Sequence, residues 1–83
     1  GEEVATIVGN ICESGDIIAN ERNIKKVSIG DVVAVGNAGA YGFAMSSNYN
    51  CRLKPAEVLI DKDGNDRLIR RRDTFEDIIR NFV

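Results

Sequence analysis

The sequence predicts a small, mainly β domain spanning residues 1–83. Three observations predict it. Segments rich in Val and Ile are divided by glycines and polar pairs at short intervals, the composition of strands rather than helices. An Asp63-Gly64 pair between two such segments suits the positive φ angles of a hairpin turn. Only the tail changes to the three- and four-residue spacing of a helix.

Val4 to Val8 alternates apolar with small or polar positions, the period of a strand. Cys12-Glu13-Ser14-Gly15-Asp16 then sits between an apolar run and the pair Ile17-Ile18, and reads as a glycine-containing bend. Val27-Ser28-Ile29-Gly30-Asp31 predicts a turn, and Asp31-Val32-Val33-Ala34-Val35 a short strand entered from it. Ala56 to Ile60 and Arg67 to Arg70 flank Asp61-Lys62-Asp63-Gly64-Asn65, which predicts a β-hairpin. Phe75, Ile78, Ile79 and Phe82 form the apolar stripe of a short closing helix. Thr74 is its N-cap, Glu76 and Asp77 fill its first turn, and Arg80 stands near its end, all as the helix dipole favours.

Composition narrows the functions. A hydrophobic fraction of 43 % and a charged fraction of 29 % suit a folded chain. A domain of this length buries only roughly 60 to 65 % of the surface its unfolded form exposes, so its stability margin is thin. The net charge of -2 argues against a nucleic-acid partner, since binding the phosphate backbone calls for a basic surface. Arg70-Arg71-Arg72 does not change this, because Asp73, Glu76 and Asp77 follow. No apolar stretch is long enough to span a membrane, and no export signal is expected. Cys12 and Cys51 are too far apart for a close metal-ligand pair and are expected to be cytoplasmic thiols. Histidine is absent, which removes the commonest metal ligand and the usual general base near neutral pH.

The chemistry-bearing residues each admit more than one reading. An accessible Cys12 thiol, with an ordinary pKa near ~8.5, stays protonated at neutral pH and can donate a proton; a buried structural cysteine is the alternative. Glu13 beside it would raise the thiol pKa further by like-charge repulsion. Glu13 and Asp16 form an acid–base pair, metal ligands or plain loop carboxylates, with metal binding the weakest since no ligand pattern surrounds them. Asp16 also suits a loop cap that accepts backbone N–H groups. Gly36, Gly39 and Gly42 let the backbone pass close to another group, and Tyr41 among them either offers its phenol to a phosphate or packs as a core aromatic. Ser46, Ser47, Asn48 and Asn50 read as polar loop positions around Tyr49, while Cys51, Arg52 and Lys54 have only a surface context.

Ile11-Cys12-Glu13-Ser14-Gly15-Asp16, Asn37-Ala38-Gly39-Ala40-Tyr41-Gly42, Met45-Ser46-Ser47-Asn48-Tyr49-Asn50 and Pro55-Ala56-Glu57-Val58 occur in the order found in diaminopimelate decarboxylases. Through these motifs essentially the whole chain resembles the C-terminal β-domain of that family, pyridoxal-phosphate enzymes of lysine biosynthesis. Ornithine and arginine decarboxylases of the same alanine-racemase-like group share a cysteine followed by an acidic residue. Glu13 with Ser14-Gly15-Asp16 is similar to the diaminopimelate version.

The resemblance implies a β-sandwich or barrel-like C-terminal domain with a short helix, the (β/α)8 barrel domain being absent. It implies decarboxylation of meso-2,6-diaminopimelate to L-lysine and carbon dioxide, with pyridoxal 5'-phosphate bound mainly by the barrel. The implied partners are that barrel and a second subunit, in a cytoplasmic homodimer with active sites at the interface. By the same resemblance Cys12 is the proton donor to Cα, acting across the interface. Glu13 engages the distal amine of the substrate, and Tyr41 reaches the cofactor phosphate and lies beside the substrate. None of the lysines stands in the context of the family's cofactor-linking lysine, so the chain alone is expected to be inactive. It is also expected to expose an unpaired strand edge and to associate. Two other readings are a non-catalytic β-module that binds a protein partner, and a decarboxylase of another basic amino acid.

Overall fold

Residues 1–83 are all described in the computed structural model, which holds four strands, a 3-10 turn at Tyr49–Cys51 and one short helix. The mainly β expectation is met. The chain divides into two units, Gly1–Asn37 and Ala38–Val83, each with one two-stranded antiparallel ribbon.

In the first unit β1 (Glu2–Val8) pairs with β2 (Ile17–Lys25). The register sets Glu2 against Lys25 and Val8 against Ile17, and shifts on either side of Ile7. Glu21, at φ 48°, takes up the irregularity on β2. The Thr6 hydroxyl fills the gap: it accepts the Glu21 N–H at 3.1 Å and donates to Asn20 Oδ1 at 3.3 Å. The polar run Asn20-Glu21-Arg22-Asn23 hides this strand from a period-two reading. Beyond it the turn predicted over 27–31 forms, with the Asp31 N–H donating to the Ser28 carbonyl at 3.0 Å and Gly30 at φ 99°.

The strand predicted over 31–35 does not form. These residues carry no ladder, and Val32 is 94 % exposed. An apolar run becomes a strand only when a neighbour accepts its backbone groups, and none is offered here.

In the second unit β3 (Glu57–Ile60) pairs with β4 (Asp66–Arg70), as the hairpin prediction required. Asp61 builds the connection. Its Oδ1 accepts the N–H groups of Asp63 and Asn65, both at 2.9 Å, and its carbonyl accepts that of Gly64 at 3.0 Å. Gly64 stands at φ 83°, a conformation open to glycine at little cost.

The helix, α1, covers Phe75–Ile79. Thr74 caps it, as predicted, in a reciprocal arrangement with Asp77: the Thr74 N–H donates to Asp77 Oδ2 at 2.8 Å, and the Asp77 N–H to the Thr74 carbonyl at 3.0 Å. Arg80 is the C-cap, and Phe82 falls outside the helix at 80 % exposure, so the predicted stripe is cut short.

The Arg71 guanidinium grips Asp77 with two hydrogen bonds, 2.9 and 3.0 Å long. This contact and the Thr74 N–H hold the Asp77 carboxyl far below the ordinary carboxylate range, while Asp77 raises the Arg71 pKa. Because the folded carboxyl binds a proton less readily than the unfolded one, the Asp77 contribution is complete above the unfolded value of ~4 and is lost as the pH falls below it. Thermal unfolding of the chain followed by circular dichroism should show a lower midpoint at about pH 3 than at about pH 6, and Asp77→Asn should flatten that dependence.

Neither unit encloses a core. No side chain in either unit is buried. Val4 and Val8 on β1, and Val58 and Ile60 on β3, stand more than half exposed.

Candidate active site

Cys12 and Glu13 lie on the bend between β1 and β2, and both are exposed. Neither side chain is covered within this chain, in which no side chain is buried. Asp16 shapes the bend. Its carbonyl accepts the Gly9 N–H at 3.1 Å, its own N–H donates to the Glu13 carbonyl at 3.0 Å, and its Oδ2 accepts the Ile11 N–H at 3.4 Å. The reading of Asp16 as a loop cap is the one the geometry bears out. Glu13 turns its carboxylate back onto the Gly15 N–H, an exposed contact that water can replace cheaply. No cluster of three or more potential metal ligands is present.

Gly9 is a position the sequence reading missed. A Cβ placed there would overlap the Asp16 carboxylate, which cannot retreat without abandoning the Ile11 N–H. The signal was available as a glycine at the end of an apolar run, but its meaning depends on Asp16 folding back seven residues later. Gly9→Ala should therefore push the Asp16 carboxylate off the Ile11 N–H and loosen the bend. Amide hydrogen exchange at Ile11 and Asp16 should speed up, while the β3–β4 ribbon in the other unit keeps its protection.

Tyr41 belongs to the second unit. It lies in a tight turn where the N–H groups of Tyr41 and Gly42 both donate to the Ala38 carbonyl, at 3.2 and 2.7 Å, and the Met45 N–H donates to the Tyr41 carbonyl at 2.9 Å. Tyr41 is 67 % exposed, which leaves its phenol accessible within this chain. Of Gly36, Gly39 and Gly42 only the last makes the close approach expected: a Cβ at Gly42 would come to 3.0 Å from the Ala38 carbonyl oxygen, while the other two face open space.

Lys54, read from sequence as a surface residue, is tied in at both ends. Its N–H donates to Asp73 Oδ2 at 3.0 Å and its Nζ lies 4.8 Å from the centre of the Phe43 ring. The Lys54 N–H is the main cause that lowers the Asp73 pKa, with Asn48 and Arg70 adding to it. Arg70 reaches Glu57 across the ribbon at 3.1 Å and Asp73 at 3.1 Å, with its guanidinium 4.5 Å from the same ring. Phe43 and Arg70 both line two open clefts in this unit, of about 330 and 350 Å³.

Residues 1–39 match the family described as pyridoxal-dependent decarboxylase, C-terminal sheet domain. Over 78 residues, 94 % of the chain, it is 54 % identical to a diaminopimelate decarboxylase of Archaeoglobus fulgidus. The first 39 of the 83 residues thus match the sheet-domain family of the pyridoxal-dependent decarboxylases. A diaminopimelate decarboxylase of Methanothermobacter thermautotrophicus is 49 % identical over the same length of chain. The crystal structure of diaminopimelate decarboxylase from M. jannaschii in complex with L-lysine superposes with a TM-score of 0.90 at 44 % identity, covering 99 % of this chain. The chain spans about a fifth of the length of these relatives, 18 % of the two curated proteins and 19 % of the crystallised one. No helix is long and apolar enough to cross a membrane.

Proposed function

We propose that residues 1–83 are the C-terminal β-domain of a diaminopimelate decarboxylase, converting meso-2,6-diaminopimelate to L-lysine and carbon dioxide. The observation that carries this reading is an identity near one half over 94 % of the chain, together with a bend that holds Cys12 and Glu13 out to solvent. The enzyme works as a cytoplasmic homodimer with a barrel domain in each subunit. The apolar strand faces left bare by both units offer the area such partners would cover.

The residues present fit a supporting part in holding pyridoxal 5'-phosphate. Tyr41 offers an exposed phenol that can donate to a phosphate oxygen, beside a glycine turn that leaves room for it. The bound cofactor withdraws the electrons that decarboxylation leaves behind. Cys12 holds a proton at Sγ and returns it to Cα of the product. Glu13 leaves the Gly15 N–H to accept the ammonium at the distal stereocentre of the substrate. Tyr41 orients the cofactor phosphate and walls the substrate.

The test is a chimaera in which this chain replaces the corresponding segment of the M. jannaschii enzyme, whose backbone it matches. Lysine release from diaminopimelate is expected, with no amine release from ornithine or arginine. A chimaera that folds and binds pyridoxal phosphate but forms no lysine would overturn the proposal.

A further inference from the structure

Tyr41 is two-thirds exposed, so its own ring gains little packing that could fix its direction. Its aim must come from the backbone that carries it. That backbone is short and tied: only Gly42 separates Tyr41 from Phe43, and the Gly42 N–H is held by the Ala38 carbonyl at 2.7 Å. The Phe43 carbonyl in turn accepts the Ser46 N–H at 3.0 Å and the Ser46 hydroxyl at 2.6 Å. Wherever the Phe43 ring is anchored, the Tyr41 Cα follows.

The anchor is Arg70. Its guanidinium lies 4.5 Å from the centre of the Phe43 ring and is itself fixed on its nitrogens. Nε donates to Glu57 at 3.1 Å, Nη1 to Asp73 at 3.1 Å and Nη2 to the Pro55 carbonyl. Asp73 is held by the Lys54 and Asn48 donors at 3.0 and 3.4 Å, so the fork cannot swing without breaking several contacts. A planar guanidinium stacked on a ring and pinned at each nitrogen is a rigid support of a kind that a lysine cannot supply.

We infer that Arg70 is a positioning residue for Tyr41, setting the phenol through Phe43 and the Gly42 peptide. This rests on the reading of Tyr41 as a cofactor and substrate contact. In the chimaeric enzyme, Arg70→Met should weaken pyridoxal phosphate binding and raise KM, each by about tenfold, with kcat changed far less. Arg70→Lys should recover only part of the loss. Phe43→Leu, which leaves the ion pairs in place, should move both quantities in the same direction.

The deciding measurement is a double-mutant cycle with Tyr41→Phe. If Arg70 acts through Tyr41, adding Arg70→Met to Tyr41→Phe should cost less than about twofold more. A full tenfold cost on that background, or no cost in either single variant at Arg70 and Phe43, overturns the inference while leaving the role of Tyr41 intact. Unchanged cofactor affinity and KM in Tyr41→Phe alone would instead remove the role of Tyr41, and this inference with it.

Discussion

Cys12→Ala in the chimaeric enzyme is expected to cut turnover by on the order of 10²- to 10³-fold, the usual worth of a positioned general acid. Cys12 stands exposed on a bend whose form is dictated by Asp16 and Gly9, so the thiol is presented on a fixed loop. Removing the sulfur deletes the proposed donor while the Asp16 hydrogen bonds that shape the bend remain, and cofactor affinity and KM should stay close to those of the parent. Steady-state decarboxylation, with deuterium incorporation at Cα measured in heavy water, checks both halves. Parent-like turnover in the alanine variant would mean that the proton comes from elsewhere.

Glu13→Gln should raise KM for diaminopimelate by about 10- to 100-fold, since a charge-assisted hydrogen bond contributes about 1.5 to 3 kcal/mol. The amide keeps an acceptor oxygen but loses the charge that meets an ammonium. The distal amine takes no part in bond breaking, so kcat should fall much less than kcat/KM. A variant with unchanged KM but depressed kcat would place Glu13 at the reacting carbon instead. The two substitutions therefore separate two neighbouring residues by the kinetic constant each one moves.

Features that depend on a few adjacent residues were legible in the sequence. The Asp61–Asn65 turn and the Thr74 cap form as predicted because their hydrogen bonds close within four residues. The Cys12–Asp16 bend was visible for the same reason. The strand over 31–35 was over-read, since an apolar run does not say whether a neighbour exists to pair with it. β2 was missed because its middle is polar and its irregularity is resolved by Thr6 from the other strand. Arg70, Asp73 and Phe43 passed unnoticed for a related reason. Apart from the Arg70–Asp73 pair, their partners lie 11 to 27 residues away, and no local spacing marks an arginine that will end up against a phenylalanine ring. Gly9 falls between these cases, being local in sequence but meaningful only once the Asp16 side chain has a direction.

The absence of any buried side chain in either unit carries a thermodynamic corollary. With so little apolar area withdrawn from water inside the chain, most of the available hydrophobic free energy is still to be gained when another surface docks on it. Resistance to heat and to proteases should then obey mass action, rising with the amount of the covering surface and reaching a plateau at saturation. The midpoint of the polypeptide alone is then a lower limit, which any covering surface raises.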